Sequence, residues 1–368
     1  MNMNSSEAPL LRVLFLINHA GRGGSEKYVY KLIQAYEGKC AQCYFAYNEA
    51  GLLAEQIAEL GIPSTHLKMR GSFDLKAAKS LARLCREHEI DVIHAQHPRE
   101  NYIAVLSKLF YKKPKVVYTC HLHWDIPAWH RPINRLITSK NHRIIAVCNS
   151  VAERLAKNGA VRKKIQVIFN GITPPETQLP STLRTELGLD DNTFVITTLA
   201  RYDAMKHYDL LTEAIAKLKK LTDRKFAVLY AGDGELYDDI AQRIQTLGLE
   251  DTVFQLGFRK DTDNILHGSD LFVNSSGSEA LSFAILEALG HSLPVVATKI
   301  GGNPDILSPQ HDCGILVDFG NTDAMAEAFC RFIEDPTLYA RCSKNALRTV
   351  NEVFHFNKIS KDTFETYK

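Results

Sequence analysis

Short runs of apolar residues alternate along the chain with longer segments of helical periodicity. In the first half, six runs predict buried strands: Arg12–Ile17, Cys43–Tyr47, Asp91–His94, Lys115–Thr119, Arg143–Val147 and Ile165–Phe169. Amphipathic helices are predicted between them, as over Glu26–Tyr36, Leu75–His88 and Tyr102–Phe110. Strands that alternate with helices in this way are typical of a parallel sheet covered by helices on both faces.

The alternation stops at Asn170-Gly171 and resumes after a proline-rich stretch. Residues 173–180 lack apolar periodicity and contain three prolines, which predicts a linker. Five further strands follow: Phe194–Leu199, Phe226–Ala231, Thr252–Leu256, Leu271–Asn274 and Pro294–Ala297, with helices at about 208–220, 235–247 and 282–290. We therefore predict two α/β domains, residues 1–172 and 173–350. A last helix, over about 351–368, has no strand after it and is expected to cross back onto the first domain.

Length and composition favour a globular chain of two domains, with 368 residues of which 45% are hydrophobic and 23% charged. The longest apolar run near the start, Val13–Ile17, is five residues. A membrane-spanning helix needs about 20 apolar residues and a signal peptide core about 7–15, so neither is predicted. Among the eight cysteines only Cys40 and Cys43 have C-x-x-C spacing, which favours a reduced, cytoplasmic chain with incidental thiols.

The net charge of +2 conceals a strong asymmetry between the two halves. Residues 1–172 carry 25 basic and 13 acidic residues, or +12, whereas residues 173–368 carry 19 and 29, or −10. Such a basic half predicts contact with an anionic partner: a membrane surface, a phosphorylated acceptor or nucleic acid. The alternative is that opposite charges help the two domains face each other. No nucleic-acid recognition module is recognisable, so nucleic acid is not predicted as a partner.

Two loops that follow predicted strands carry residues suited to phosphate. Parallel sheets bind ligands at the carboxyl ends of their strands. After the first strand, Gly21, Gly23 and Gly24 precede a helix, whose N-terminal amides can meet an anion. The spacing matches neither a Walker loop nor a dinucleotide motif, and a tight turn is the alternative. In the second domain, Arg201 and Lys206 follow a buried strand and could bind phosphate, or form a solvated basic loop.

The most informative stretch is residues 274–290, which contains two glutamates. On one helix Glu279 and Glu287 would lie about 80° apart, so they meet one ligand only if Glu279 is in the preceding loop. Amides near Leu281 and Ser282 would then start the helix and suit a phosphate. Glu287, in an otherwise apolar helix, would be satisfied by the diol of a ribose. A structural glutamate that faces the surface is the alternative.

The motif from Ser276 to Gly302, S-x-x-E-x7-E-A-L-x4-P-V-V-A-T-x-x-G-G, resembles the donor-site signature of the retaining glycosyltransferases of family 4 (glycosyl transferases group 1). The similarity extends to residues 23–26, to Ala200-Arg201 with Lys206, to residues 231–234 and 256–258, and to Asn170-Gly171, and so covers nearly the whole chain. It implies the GT-B fold, in which two Rossmann-like α/β/α domains face each other across a deep cleft.

The resemblance also implies roles for individual residues. Glu287 would bind the ribose hydroxyls, Glu279 the transferred sugar, and Arg201 with Lys206 the diphosphate. His121 would lie near the anomeric centre. The remaining donor contacts fall on backbone: Gly23 and Gly24 at the diphosphate, Leu281 and Ser282 at a phosphate, and Gly232 to Gly234 with Phe258 and Arg259 at the nucleobase. Many members read Gly-Phe-Gly where this chain has Ala280-Leu281-Ser282, so no donor sugar is predicted.

The pattern His121-x-His123-x-Asp125 has residue types that bind metal ions. No third imidazole or thiolate cluster lies nearby in the sequence, and the family that the chain resembles is metal-independent. We therefore predict neither a metal nor another cofactor.

These observations predict a metal-independent, retaining hexosyltransferase. Its donor would be a nucleoside diphosphate sugar, of UDP or GDP, and its acceptor a hydroxyl of a glycan or lipid-linked molecule in cell-surface polysaccharide or glycoconjugate synthesis. The expected location is the cytoplasm, or peripherally the inner face of the membrane. The alternatives are a GT-B-type sugar epimerase or phosphorylase, and a non-enzymatic nucleotide-sugar or nucleic-acid binding protein.

Overall fold

The computed structural model describes residues 10–176 and 180–368. The first nine residues, and residues 177–179 of the predicted linker, lie outside these ranges. The chain divides into two compact units. The N-terminal unit comprises the chain up to Phe169 together with Ile359–Lys368, and the C-terminal unit comprises Asn170–Lys358. None of the helices in the described ranges is long and apolar enough to cross a membrane.

The N-terminal unit is built on a seven-stranded, wholly parallel sheet. Its strands are β1 (Leu11–His19), β2 (Ala41–Glu49), β3 (Ser64–His66), β4 (Val92–Ala95), β5 (Lys115–Cys120), β6 (Arg143–Ala146) and β7 (Ile165–Val167). The order across the sheet is β3-β2-β1-β4-β5-β6-β7. The central β1 is apolar and fully buried from Val13 to Ile17, because it pairs on both sides, with Val13 opposite Cys43 and Val92.

Six helices connect these strands, and two of them show why the sequence folds locally as it does. They are α1 (Gly24–Tyr36), α2 (Leu52–Glu59), α3 (Leu75–Glu87), α4 (Pro98–Ser107), α5 (Arg131–Thr138) and α6 (Asn149–Lys157). Helix α3 starts at a cap in which Asp74 accepts from the amides of Lys76 and Ala77, both at 3.0 Å. Helix α4 places Pro98 in its first turn, where the missing amide proton is no loss.

The C-terminal unit repeats this architecture with a six-stranded parallel sheet. Its strands are β8 (Phe194–Leu199), β9 (Phe226–Ala231), β10 (Val253–Gly257), β11 (Leu271–Asn274), β12 (Val295–Thr298) and β13 (Gly314–Val317), in the order β10-β9-β8-β11-β12-β13. Its helices are α7 (Leu183–Glu186), α8 (Tyr208–Leu218), α9 (Tyr237–Thr246), α10 (Thr262–His267), α11 (Phe283–Gly290), α12 (Asn303–Ile306), α13 (Thr322–Glu334) and α14 (Pro336–Glu352). The fold class predicted from the alternation, α/β with parallel sheets, is confirmed.

The last helix, α15 (Phe356–Glu365), begins five residues later than the predicted start near residue 351. The helix is interrupted at His355, which forms a parallel bridge with Ile172. The amide of Ile172 donates to the carbonyl of Phe354 at 2.9 Å, and the amide of Phe356 donates to that of Ile172 at 2.8 Å. Residues from Ile359 onward pack in the N-terminal unit. There Tyr36 donates to the carbonyl of Ser360 at 2.5 Å, and the hydroxyl groups of Tyr28 and Thr363 lie 3.3 Å apart.

In each sheet the strand order changes direction at one point, and this position predicts where a ligand binds. The change falls between β1 and β4 in the N-terminal unit and between β8 and β11 in the C-terminal unit. Loops that leave the carboxyl ends of two such strands diverge and leave a crevice. The loops after β1, β8 and β11 contain six of the residues that the sequence analysis selected, namely Gly23, Arg201, Lys206, Glu279, Leu281 and Ser282.

Candidate active site

Glu279 lies in the loop between β11 and α11, and its side chain is held at a single oxygen. Oε1 accepts from Lys206 Nζ at 2.5 Å, from Ser276 Oγ at 2.9 Å and from Asn274 Nδ2 at 3.3 Å. No donor among the described residues meets Oε2. The side chain is only 13% exposed. Oε1 is therefore saturated while Oε2 stays available to a ligand hydroxyl.

The backbone of Glu279 is positioned by the loop that follows β12. Gly301 has φ +52°, and a Cβ there would lie 1.7 Å from the carbonyl oxygen of Glu279. Only glycine fits both the backbone conformation and this close approach. The neighbouring Asn303 donates to the carbonyl of Thr298 at 3.0 Å and to Asn274 Oδ1 at 3.3 Å. Sequence reasoning assigned no role to Asn274, Gly301 or Asn303, although the Gly-Gly pair after a strand was a visible signal.

Lys206 lies in the loop after β8, which is attached to the loop after β11. Ser275 Oγ donates to the carbonyl of Lys206 at 2.7 Å, and the amide of Gly277 donates to the carbonyl of Met205 at 2.8 Å. The Lys206 side chain is 20% exposed. Its ammonium group is therefore held beside Glu279, 73 residues away in sequence.

Arg201 lies in the same loop but has a different environment. Its side chain is 74% exposed, and Nη2 lies 3.0 Å from Asp203 Oδ2. The two predicted phosphate ligands thus have separate partners, Asp203 for Arg201 and Glu279 for Lys206. Their joint contact with a diphosphate stays a prediction.

Backbone at the predicted nucleobase edge lies against the loop that carries Arg201. A Cβ on Gly232 would lie 1.8 Å from the carbonyl oxygen of Ala200, and one on Gly234 would lie 2.5 Å from that of Tyr202. Both glycines also have positive φ, +155° and +151°. The close approach of these segments is by itself sufficient to require glycine at positions 232 and 234. The predicted contact of these glycines with a nucleobase stays a prediction.

Beyond β10, Phe258 is 53% exposed. The guanidinium of Arg259 is held by Asp261, with Nε–Oδ1 and Nη2–Oδ2 distances of 2.7 Å, and by Glu186 Oε1 at 2.5 Å. These carboxylates raise the pKa of Arg259, and Arg259 lowers the pKa of Asp261. The side chain of Arg259 therefore fixes the loop, and only its backbone is left for the predicted contact.

Helix α11 starts where the sequence placed a phosphate site. Ser282 is its N-cap and accepts from the amide of Ile285 at 3.4 Å, with Leu281 just before it. The first amides of a helix lack intrahelical partners and carry the positive end of its dipole. Glu287 lies inside α11 and is half-buried rather than buried, so a ribose diol is not needed to offset a full burial cost. That partial exposure leaves room for a ligand.

In the N-terminal unit, His121 directly follows β5 and lies beside the carboxyl end of β4. Its Nε2 is 3.0 Å from Gln96 Oε1, which makes Nε2 the donor and leaves Nδ1 as an acceptor. Its ring packs edge-on against Tyr28, with centroids 5.1 Å apart, and lies 5.8 Å from His97. Burial of the ring, with His97 and His94 nearby, lowers the pKa of His121 well below its usual range. His121 is therefore neutral at neutral pH and supplies no positive charge to a diphosphate.

Beneath His121, the fully buried His94 joins the sheet to the last residues of the chain. Its Nδ1 is 2.7 Å from the hydroxyl of Tyr367, and its Nε2 is 2.7 Å from that of Thr119. Burial lowers the pKa of His94 to about 3, so the ring is neutral. Tyr28, which packs against His121, contacts the same C-terminal segment through Thr363. The environment of His121 thus depends on residues that are more than 200 positions away.

The glycine-rich loop after β1 is fixed at Asn18, where three segments meet. Asn18 Oδ1 accepts from Arg99 at 2.8 Å and from Asn48 at 3.1 Å, and its amide donates to Glu100 Oε1. Glu100 is fully buried, and its Oε2 has no partner among the described residues. Burial raises the pKa of Glu100 to about 7. Sequence reasoning missed this carboxyl group, although its place in the first turn of a helix after a strand could have drawn attention.

From this fixed point the chain runs to the two predicted anion-binding glycines. Gly23 is the N-cap of α1 in an extended conformation, and Gly24 is the first residue of the helix. Glu26 is nearly buried in the first turn, where Ser25 Oγ donates to it at 2.7 Å. The loop therefore presents helix amides beside a carboxylate.

The His-x-His-x-Asp pattern is dispersed over separate contacts. His123 Nε2 lies 2.9 Å from Ser150 Oγ, and Asp125 pairs with Arg154. Within residues 10–176 and 180–368, no group of three or more His, Cys, Asp or Glu side chains is placed to hold a metal ion.

The strand orders define a pair of Rossmann-like units, and solved structures with the same fold are glycosyltransferases. Anabaena HepE in complex with UDP superposes with a TM-score of 0.83 at 22% identity, over 97% of this chain and 99% of that one. A glycosyltransferase from Rickettsia africae superposes with a TM-score of 0.86 at 21% identity, over 98% of each chain. The fold is GT-B.

Family models identify the chain within this fold class. The model for glycosyl transferases group 1 matches residues 181–349, and that for glycosyltransferase family 4 matches residues 22–175. The chain belongs to glycosyltransferase family 4 (glycosyl transferases group 1), as the resemblance predicted, and is therefore a glycosyltransferase.

Two curated relatives are similar over most of their length. N-acetyl-alpha-D-glucosaminyl L-malate synthase of Bacillus anthracis is 26% identical over 296 residues, 78% of this chain and 77% of its own. The UDP-Gal:alpha-D-GlcNAc-diphosphoundecaprenol alpha-1,3-galactosyltransferase of Escherichia coli is 28% identical over 301 residues, 77% of each chain.

Proposed function

We propose that the protein transfers a hexose-type unit from a nucleoside diphosphate sugar to a hydroxyl of a lipid-linked acceptor. Transfer would proceed with retention and without a metal ion. The observation that carries the proposal is the arrangement around Glu279. A carboxylate fixed by three donors on one oxygen, with its other oxygen open, suits a sugar hydroxyl, and a lysine and a helix N-terminus stand beside the same loop.

The charge that develops during transfer explains why cations are needed. As the bond between the anomeric carbon and the phosphate oxygen lengthens, negative charge grows on the diphosphate and positive charge on the sugar. Lys206 and the first amides of α11 are held in place before the reaction, so they stabilise the leaving group without reorganisation. Glu279 faces the sugar, where its negative charge stabilises the positive charge that develops on the sugar ring. No carboxylate is assigned here as a covalent nucleophile.

The N-terminal unit would contact the transferred sugar through His121. Because His121 is neutral and its Nδ1 is an acceptor, the ring can receive a hydrogen bond from a sugar hydroxyl. A charged histidine could not do so. We propose that His121 orients the transferred sugar by this contact, near the anomeric centre.

Two observations support a lipid-linked acceptor at a membrane. The Escherichia coli relative acts, by its name, on a diphosphoundecaprenol-linked sugar, and a Campylobacter jejuni relative with 27% identity over 292 residues also has a diphospho-undecaprenol-linked substrate in its name. The +12 charge of residues 1–172 suits an anionic surface. We propose a role in cell-surface polysaccharide or glycoconjugate synthesis at the inner face of the membrane.

The function can be tested with a panel of UDP-, GDP- and ADP-sugars. The true donor should raise the unfolding temperature, since a ligand at 100 times its Kd stabilises the folded state by about 2.7 kcal/mol. The selected donor is then incubated with and without a lipid-diphosphate-linked sugar. We expect a product one sugar longer, formed only with the acceptor. Isomerisation of the donor alone, or sugar phosphate formed from added phosphate, would instead establish an epimerase or a phosphorylase.

The two glutamates should separate binding from turnover. Glu287→Ala is expected to raise the nucleotide Kd roughly 10- to 150-fold, because hydrogen bonds to a charged group contribute about 1.5–3 kcal/mol. Glu279→Gln keeps an acceptor for Lys206 but loses the charge that faces the sugar, so kcat should fall more than nucleotide affinity. Calorimetric titration with the nucleotide and steady-state kinetics measure both effects.

Glu327→Ala is the matched control, since Glu327 is an exposed glutamate on α13. This variant should leave the nucleotide Kd and kcat unchanged. Parental nucleotide affinity in Glu287→Ala would refute the assignment of Glu287 to the ribose.

A further inference from the structure

A groove of about 670 Å³ crosses the surface of the N-terminal unit between α3 and the turn after α4. Four cations line it, Lys76, Lys79, Arg83 and Arg86, together with the apolar Leu109 and Phe110. No acidic side chain lines it. We call it the α3 groove. It is separate from the loops that carry the candidate active site.

Three of the four cations of the α3 groove, Lys76, Lys79 and Arg83, are available to a partner. They lie on one face of α3 at spacings of three and four residues, while the opposite face buries Ala78, Leu81 and Cys85. Lys76 and Lys79 are exposed and form no ion pair with any described residue. Arg83 has only a loose contact with Glu87, with a distance of 3.7 Å between exposed groups.

The fourth cation fixes the apolar wall of the groove. Arg86 Nη2 donates to the carbonyl of Phe110 at 2.9 Å, and its guanidinium lies 5.3 Å from the centre of the Tyr111 ring. The turn after α4 is thereby held against α3. Leu109 is 69% exposed and Phe110 is 40% exposed, so two large apolar side chains stand beside the row of cations.

Other lysines that contribute to the basic charge of this half are engaged in folding contacts. Lys113 Nζ pairs with Asp91 at 3.0 Å, and Lys115 Nζ donates to the carbonyl of Tyr367 at 3.1 Å. Lys108 Nζ donates to the carbonyl of Pro114 at 2.6 Å, and Lys164 Nζ to that of Ser139 at 2.7 Å. These four lysines are thus held by contacts within the fold, whereas Lys76 and Lys79 of the α3 groove are not.

We propose that the α3 groove docks the N-terminal unit on the anionic surface of a phospholipid bilayer. The cations meet headgroup phosphates, and Leu109 and Phe110 enter the layer below them. Charge complementarity selects an anionic surface, and the exposed apolar pair favours a lipid over a wholly polar polyanion. This inference deepens the proposed function, since it rests on a lipid-linked acceptor being used at such a surface.

The test is sedimentation of the full chain with vesicles of phosphatidylcholine alone or mixed with phosphatidylglycerol. The variant is Lys79→Gln with Arg83→Gln. The control is Arg162→Gln with Lys163→Gln, which removes the same charge from an exposed turn of the same unit. Each lost cation near the surface should weaken partition about five-fold, so we expect about a 25-fold loss in the α3 variant and little change in the control. A Leu109→Ser, Phe110→Ser variant should also weaken binding.

Three outcomes overturn the docking site: equal binding to both vesicle types at low salt, equal weakening of the variant and the control, or binding of polyglutamate by the groove without binding of vesicles. The last outcome would assign the groove to an acidic protein segment. Sugar transfer to a detergent-dispersed acceptor is measured in parallel. Absence of vesicle binding by the parent chain with transfer intact refutes only the α3 groove, whereas vesicle binding without any transfer refutes only the proposed function.

Discussion

Lys206→Ala is expected to reduce the rate of sugar transfer by on the order of 10²–10³, the loss seen when one preorganised electrostatic contact is removed from an active site. The ammonium group is 20% exposed and is held 2.5 Å from Glu279 by a loop that is itself hydrogen-bonded to the Glu279 loop. Because the negative charge it meets grows during bond cleavage, kcat should fall more than nucleotide affinity. Arg201→Ala should behave similarly, since the side chain of Arg201 is 74% exposed and can exchange its contact with Asp203 for one with a diphosphate.

Lys344→Ala is the control, because Lys344 is an exposed lysine of α14. The parent enzyme should also keep full activity in excess EDTA, as these cations neutralise the leaving group. Loss of transfer in EDTA that Mg²⁺ or Mn²⁺ restores would show that a metal ion stabilises the diphosphate, and this mechanism would be wrong.

Gly301→Ala is expected to reduce kcat by about 100-fold, although Gly301 contributes no side chain. A Cβ would lie 1.7 Å from the carbonyl oxygen of Glu279, so the loop that carries Glu279 must move, and displacement by about 1 Å can cost that much in rate. Gly320→Ala separates this clash from backbone strain. Gly320 also has positive φ, +83°, but a Cβ there meets nothing within 4 Å.

Both alanine variants should lose about 1 kcal/mol of folding stability from the left-handed conformation. Gly301→Ala should lose more than Gly320→Ala, because its Cβ also displaces the Glu279 loop. Only Gly301→Ala should lose activity. Chemical denaturation and steady-state kinetics on the two variants measure these effects, and an equal fall in kcat would show that Gly301 does not position Glu279.

The sequence predicted eleven of the thirteen strands in the two sheets, including the edge strands β7 and β10, and missed the other two edge strands. Val13–Ile17 is continuously apolar, so its place in the centre of a sheet follows from hydrophobicity alone. The edge strand β3 consists of three polar residues, and the edge strand β13 has four residues of which the first is a glycine, so both give little such signal. The break before α15 depends on a pairing with Ile172, which is distant in sequence and gives no local pattern.

The candidate site shows the same division between local and distant information. Glu279 in a loop and Glu287 in a helix followed from their spacing, and Ser282 carries a visible capping signal. The ion pair between Lys206 and Glu279 joins two loops that the sequence treats separately. Glu100 illustrates the limit most clearly, since a glutamate in the first turn of a helix is ordinarily solvated and only the packed structure shows it fully buried.

The contribution of residues 359–368 to the N-terminal unit affects the order in which the protein can fold during synthesis. The 189 residues of the C-terminal unit, Asn170–Lys358, must be translated before the segment that contacts Tyr28, Tyr36 and His94 is available. At 5–20 residues per second this takes roughly 10–40 s. During that interval residues 359–368 are not yet packed against α1, and His94 has no hydrogen bond to Tyr367. The first half of the chain to emerge from the ribosome is thus the last to be completed.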